Sequence, residues 1–389
     1  MQCNSSSLLG RRAFLQLSGL AAAGTCLTPF ANAVDSKAHV LRIRRSEIEL
    51  GDRHRFVTTT YNGQFPGPVL RATVGVPVRV DVFNETDTTE QIHWQGQKLA
   101  GGVVAPHSRQ RMEFTPSRAG LYLYHSEVVA GSDLGAGLYS GQSGALLVEP
   151  ARPVLESLVV LKGFGPFMRR TVRGCEVGHS GVTLNGRLPG PLRASPGERV
   201  LLQVLNAGAT ETYHLELPGH VFEVTALDGN PLAAPVRLGA LQLSPGERVS
   251  ARVVVNQPTR WVVRETDRAP AFLRGVNTGK PDETLPVVLT RHSAARSGFN
   301  RWSINRPELR VTAGARYRLQ IHNTSDELIP LHLQRHRLQV HGVLKDVAVV
   351  GPHQRVEVDF EADGRGTALL YCTRQLHSDF GLRARVDYT

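Results

Sequence analysis

Short apolar runs that alternate with polar residues, cut by Gly and Pro turns, constrain this chain more than any other feature. Val40-Leu41-Arg42-Ile43, Val69-Leu70-Arg71-Ala72, Val78-Arg79-Val80-Asp81-Val82 and Gly144-Ala145-Leu146-Leu147-Val148 are such runs. Turn words separate them, as in Asn62-Gly63-Gln64-Phe65-Pro66-Gly67-Pro68. Residues two apart share one face of a strand, so each run buries one face and wets the other. Strands recurring every 8 to 12 residues or so, with turns between, indicate an antiparallel sandwich. The 38 Gly and 23 Pro suit many turns rather than long helices.

The plan then recurs. Leu184-Asn185-Gly186-Arg187 answers Tyr61-Asn62-Gly63-Gln64, and Pro196-Gly197-Glu198-Arg199-Val200 leads into an alternating strand, Leu201 to Leu205. Trp302-Ser303-Ile304-Asn305 and Tyr317-Arg318-Leu319-Gln320-Ile321 open a third block. A chain of 389 residues has room for two or three domains. The repeats favour three tandem Greek-key β-sandwiches in an all-β fold, at 38–150, 151–293 and 298–389.

The first 33 residues read as a targeting segment. Arg11-Arg12-Ala13-Phe14-Leu15 opens an apolar region that reaches Phe30, and Ala31-Asn32-Ala33 offers a small-x-small cleavage site. This looks like a twin-arginine signal peptide, so the mature chain is expected to start near Val34, in the periplasm or secreted. The apolar region is too short and too rich in small residues to span a bilayer, and no later stretch approaches a span. Cleavage removes Cys3 and Cys26. Cys175 and Cys372 remain, too few for a disulfide framework but open to pairing in an oxidising compartment. The net charge of +11 comes nearly all from Arg, scattered singly through strand-like segments. That pattern describes solvated faces and argues against a nucleic-acid partner.

Candidate metal donors cluster in a few words. Ala368-Leu369-Leu370 ends a strand that delivers Cys372, and a loop returns His377 five residues later. A thiolate and an imidazole on one short loop are the soft half of a blue-copper site, which also wants a second imidazole. Ile92-His93-Trp94-Gln95-Gly96 and Tyr124-His125-Ser126-Glu127 place alternate residues on one strand face. Ile329-Pro330-Leu331-His332-Leu333-Gln334-Arg335-His336 does the same.

These words, in this order, resemble the copper motifs of the multicopper oxidases. The family reads His-Trp-His-Gly, Tyr-x-Tyr-His-Ser-His, His-Pro-x-His-x-His-Gly-His and His-Cys-His-x-x-x-His-x-x-x-x-Met/Leu/Phe. The resemblance covers nearly all of the chain after the signal and implies three cupredoxin-like domains. It implies that the middle domain is poor in ligands, so His214 and His220 are not expected to bind metal. Carried over by position, the blue site keeps Cys372 and His377, has Leu382 at the weak axial place, and has Ile329 for its other histidine. The type 2 place keeps His93 and His332. Of the type 3 histidines only His125 stays, with Gln95, Glu127, Gln334, Tyr371 and Thr373 at the others.

Ordinary four-electron reduction of dioxygen is therefore not expected. Both histidines that flank the family's cysteine are gone, and with them the electron path. One expectation is a single copper, or zinc in its place, held by His93, His125, Glu127 and His332 between the first and third domains. A second is a metal-free scaffold with a periplasmic protein partner, similar to the family's copper-free cell-division member. There Glu127 would bond His125. A third is a working laccase-like oxidase with an unusual ligand set.

Overall fold

The computed structural model describes residues 38–389 except 52–53, 100–101, 151–155, 173, 271–272, 274 and 295–297. The targeting segment expected at residues 1–33 lies outside the described residues.

Alternation does the work that the sequence assigns to it. The His39–Leu50 strand buries Leu41, Ile43, Ile48 and Leu50, and the Val78–Asn84 strand buries Val78, Val80 and Val82. Together with Ile92, Trp94, Tyr122, Tyr124, Leu146 and Val148, most of these make the first core. Each such side chain contributes roughly 1.5–3 kcal/mol when fully buried. A four-stranded and a five-stranded sheet enclose that core. Two further sandwiches follow, with sheets of six and three strands, then of six and five. Each has its own apolar cluster, so the fold is three cupredoxin-like domains. No helix among the described residues is long and apolar enough to cross a membrane.

The sandwiches are not purely antiparallel. Each contains a parallel pair at the same place in the repeat, with Leu41 opposite Val82, Leu158 opposite Gln203, and Leu285 opposite Leu319. Alternation encodes which face of a strand is buried, not which way its neighbour runs. A chain that crosses to the other sheet and returns can come back in the same direction. The repeat of this pairing in all three domains strengthens the tandem reading.

The domains meet through the second faces of their sheets. Leu121 and Leu123 face away from the first core and pack with Val160, Leu205 and Ala207 of the second domain. Between the second and third domains, Arg248 donates to Asp346, and Lys345 donates to Glu247; all four are buried. Asp228 accepts from the backbone N–H of Asp346 (3.0 Å) and of Val347 (3.1 Å). Buried pairs of this kind fix register more than they add stability, because desolvation offsets most of their attraction.

Candidate metal centre

Two strands of the first domain and two of the third present the relevant residues. In Glu90–Gln95, Ile92 and Trp94 enter the core, which turns Gln91, His93 and Gln95 outward. In Gly120–Ser126, Tyr122 and Tyr124 enter it, which turns His125 and the following Glu127 outward. In Ile329–Leu333, Ile329, Leu331 and Leu333 lie in the third core, so His332 and the following Gln334 face out. In Thr367–Cys372, Ala368, Leu370 and Cys372 are in that core, and Tyr371 faces out. His93 is the cross-strand partner of His125, and His332 that of Tyr371.

The outward faces meet at His93 and His332, whose Nε2 atoms are 3.3 Å apart. The His125 ring lies 5.4 Å from that of His93. All three imidazoles are buried. His332 donates from Nδ1 to the carbonyl of Asp346 at 2.7 Å, and His125 from Nδ1 to the carbonyl of Ser126 at 2.8 Å. Each bond sets the tautomer and leaves Nε2 with its lone pair, which is how ligating histidines are usually oriented. Burial lowers the His93 pKa well below the ordinary histidine value, with His125 and His332 adding to the shift. Burial lowers that of His125 to about 4 and that of His332 to about 3. These rings are therefore neutral at pH 7, the form that binds metals.

Glu127 turns to other partners. Gln91 donates to its Oε2 at 3.0 Å, and Gln334 donates to its Oε1. Burial raises its pKa to about 7, against the pull of the two amides. Gln91, Glu127 and Gln334 sit two residues from His93, His125 and His332, so they form a second row on the same face. Gln95 donates to the Gly246 carbonyl at 2.9 Å, and Thr373 to that of Pro245 at 2.7 Å. Among the described residues, no three His, Cys, Asp or Glu side chains gather closely enough to hold an ion.

Cys372 and His377 form a separate pair, with Sγ 3.6 Å from Nδ1. The return from the strand is a short helix, Gln375–Asp379, where the sequence suggests only a loop. Gln375 ties it down by donating to Asp379 of the same helix and to the Val128 carbonyl at 3.1 Å. Trp302 stacks on His377 with centroids 4.1 Å apart. His377 donates from Nε2 to Glu327 at 3.1 Å, which leaves Nδ1 to accept from the thiol. Burial would raise the Glu327 pKa, but His377, Arg374 and Arg291 hold it well below the usual carboxylate range. Burial pushes the Cys372 thiol up to about 12. Ile329 and Leu382 share its apolar core. Cys175 and Cys372 are both free thiols.

Trp302 stands in a turn word with no role of its own, and Asp346, Glu327 and Gln91 carry no motif that marks them. Their parts depend on contacts between residues far apart in the chain. His214 and His220 bond Glu216 and the Pro218 carbonyl inside the second domain.

Three family models, each described as multicopper oxidase, match residues 42–153, 170–283 and 280–389. The multicopper oxidase MmcO of Mycobacterium tuberculosis is 24% identical, over 85% of this chain and 83% of that protein. The multicopper oxidase mco of Staphylococcus haemolyticus is 22% identical, over 91% and 89%. The solved multi-copper oxidase of Pseudomonas thermotolerans superposes with a TM-score of 0.74 at 24% identity, covering 91% of this chain and 99% of that one. That of Campylobacter jejuni, described as a metallo-oxidase, gives 0.71 at 18% identity, covering 90% of each.

Proposed function

The chain belongs to the multicopper oxidase family, and on that premise we propose that it is an exported member with an incomplete ligand set. In this reading it holds at most one copper, or zinc in its place, between its first and third domains. It does not carry out four-electron reduction of dioxygen.

One observation carries the reading: Nε2 of His93 and of His332, brought from two domains, lie 3.3 Å apart. Two nitrogens bound to one tetrahedral ion at roughly 2.0–2.1 Å would be about 3.3–3.4 Å apart. Copper held there would supply a Lewis-acidic, redox-active centre. The protein's own part is to keep the imidazoles neutral, to orient them through the Asp346 and Ser126 carbonyls, and to exclude water by burial. The loss of function at the other family positions fits their present roles. Gln95, Gln334 and Thr373 take part in ordinary hydrogen bonds that stitch the domains together. The Arg11-Arg12 word supports twin-arginine export, a route for proteins that fold before crossing.

The test is thermal unfolding of apoprotein with Cu(II) and with Zn(II). A ligand at a hundredfold its Kd adds about 2.7 kcal/mol to the folded state. For roughly 350 ordered residues, with about 2.1 cal/mol/K of unfolding entropy each, that raises Tm by about 3–4 °C. His332→Ala removes the rise and His377→Ala keeps it. An unchanged Tm, with no stoichiometric metal in purified protein, overturns the reading. It would favour the second one, a metal-free scaffold that binds a periplasmic protein. The same contact supports that alternative, since His93 can donate to His332 with no ion between them.

A further inference from the structure

A strap of the first domain, Val128 to Tyr139, lies against the short third-domain helix Gln375–Asp379. Its near end is held by Asp379, whose Oδ2 accepts from the backbone N–H of Ala130 at 2.9 Å and of Gly131 at 2.8 Å. Gln375 donates to the Val128 carbonyl at 3.1 Å and accepts from the Leu138 N–H at 3.2 Å. The far end is anchored by more. Leu138 and Tyr139 pack with Val177 and Leu376, and the buried Lys162 of the second domain donates to the Leu138 carbonyl at 2.7 Å. Gly131 and Gly137 hold positive φ, so the largely exposed stretch between them is bounded by residues that adopt such backbone freely.

A cavity of about 50 Å³ lies between this strap and the helix. Val129 and Leu138 of the strap line it, with Gln375 and Asp379 of the helix, and so do His125 and Cys372. It is large enough for a water or an ion. Val129 is 56% exposed, so it stands at the solvent edge of the cavity. The same side chain borders a groove of about 630 Å³, whose lining includes the buried Glu90 and Gln142. Val129 thus separates the wide groove from the small cavity that adjoins His125.

We propose that the strap gates metal entry to the imidazole cluster: ions pass between strap and helix to His125, the Val129 side chain narrows the passage, and Asp379 latches the strap shut. This rests on the metal reading above. His93, His125 and His332 are all buried, so an ion reaches them only when part of their cover moves. The near end of the strap is the part that gives most readily. Two of its N–H groups depend on one carboxylate, whereas the far end is packed and bonded to both other domains. Segments that open locally are drawn from such weakly held ends. A gate of this kind sets how fast an ion enters and leaves, not how tightly it is held.

The test measures the rate of Cu(II) uptake by apoprotein, and of release to a chelator, for wild type, Val129→Ala, Val129→Trp and Asp379→Ala. Asp379→Ala speeds both by about tenfold or more, because it removes two hydrogen bonds to a charged acceptor. Val129→Ala also speeds both, Val129→Trp slows both, and Kd stays the same throughout. A second measurement needs no metal. Cys372 lines the same cavity, so its alkylation by iodoacetamide, followed by mass, reports access. Val129→Ala and Asp379→Ala speed that alkylation, and the gain does not grow with urea below the unfolding transition, which marks local rather than global opening. The Val129 variants change a half-exposed side chain and keep the test decisive should Asp379→Ala fail to fold. Copper binding at rates that ignore the substitutions, a change in uptake without a matching change in release, or alkylation that rises only with urea would overturn the gate while the metal reading stands. No copper binding by any of the four proteins would overturn both.

Discussion

Ile329→His supplies the second imidazole that the family resemblance expects beside Cys372 and His377. Ile329 is fully buried in the third core beside Cys372 and Leu382. In the apoprotein the new imidazole has no obvious partner there, and an unpaired buried polar group costs about 1–3 kcal/mol. With about 2.1 cal/mol/K of unfolding entropy per residue over roughly 350 residues, the expected fall in Tm is about 1–4 °C. Copper should reverse it. The Cys372 Sγ and His377 Nδ1 are 3.6 Å apart. A tetrahedral ion with about 2.3 Å to sulfur and 2.0–2.1 Å to nitrogen would set them about 3.6 Å apart. The pair is already spaced for an ion, and the thiol needs a strongly bound metal to displace its proton, given a pKa raised to about 12 by burial. Cu(II) at a hundredfold its Kd then returns about 2.7 kcal/mol, which cancels the deficit. Calorimetry with and without Cu(II), alongside visible spectra, reads both effects. The variant should gain the intense thiolate-to-copper band of blue sites, and wild type should lack it. A blue wild-type protein would refute the reasoning, as would a variant that binds copper through Cys372 without the band.

Copper-loaded wild type should consume no oxygen with phenols or Cu(I) beyond free copper; sustained uptake that vanishes in His93→Ala would revive the laccase-like reading. Asp346→Ala should lower stability by about 3–5 kcal/mol, because it strands the buried Arg248 guanidinium without its carboxylate. An unchanged unfolding midpoint in urea would show that the lock between the second and third domains is dispensable. Apoprotein stability should fall on acidification. His125 and His332 have folded pKa values of about 4 and about 3, below the ordinary value near 6.5. The unfolded chain thus binds more protons between those values, so the contribution is complete above about pH 6.5 and declines as pH falls toward 4, by up to about 2.7 kcal/mol per pH unit for the two rings together. Glu127, raised to about 7, acts in the opposite sense, with stability lost as pH rises from about 4.5 through 7. Urea titrations at pH 7 and pH 5 decide whether the histidines dominate; equal midpoints would show that they do not.

The sandwich fold was legible because strand alternation and Asn-Gly turns are local. Val78, Val80 and Val82 declare a buried face within five residues, and the repeated turn words declare three copies. The parallel pairs were not legible, since Leu41 meets Val82 only after the chain has crossed between sheets. The site was half legible. Alternation correctly turned His93, His125 and Glu127 to one face, but strand parity says nothing of which neighbour a side chain chooses. Glu127 meets Gln334 across more than two hundred residues, and nothing in either local word announces that bond. Glu327 is similar: it touches His377 from fifty residues away, with no motif around it.

Each of the two donor pairs draws one member from the third-domain strands, on opposite faces of them. His332 and Tyr371 point outward, while Leu331 and Cys372, cross-strand partners of one another, point into the core. Each pair has a spacing suited to a shared ion, and what differs is the wall around it. Cys372 and His377 are enclosed by Ile329, Leu382 and Trp302, with Glu327 bonded to the far nitrogen, so no further donor faces an ion between them. His93 and His332 have a third imidazole, His125, beside them. A metal ion needs several donors to replace its hydration, so polar walls decide the matter where spacing does not. Replacing single residues on each face should therefore have opposite consequences: Ile329→His adds an imidazole to the apolar face, and His332→Ala removes one from the polar face.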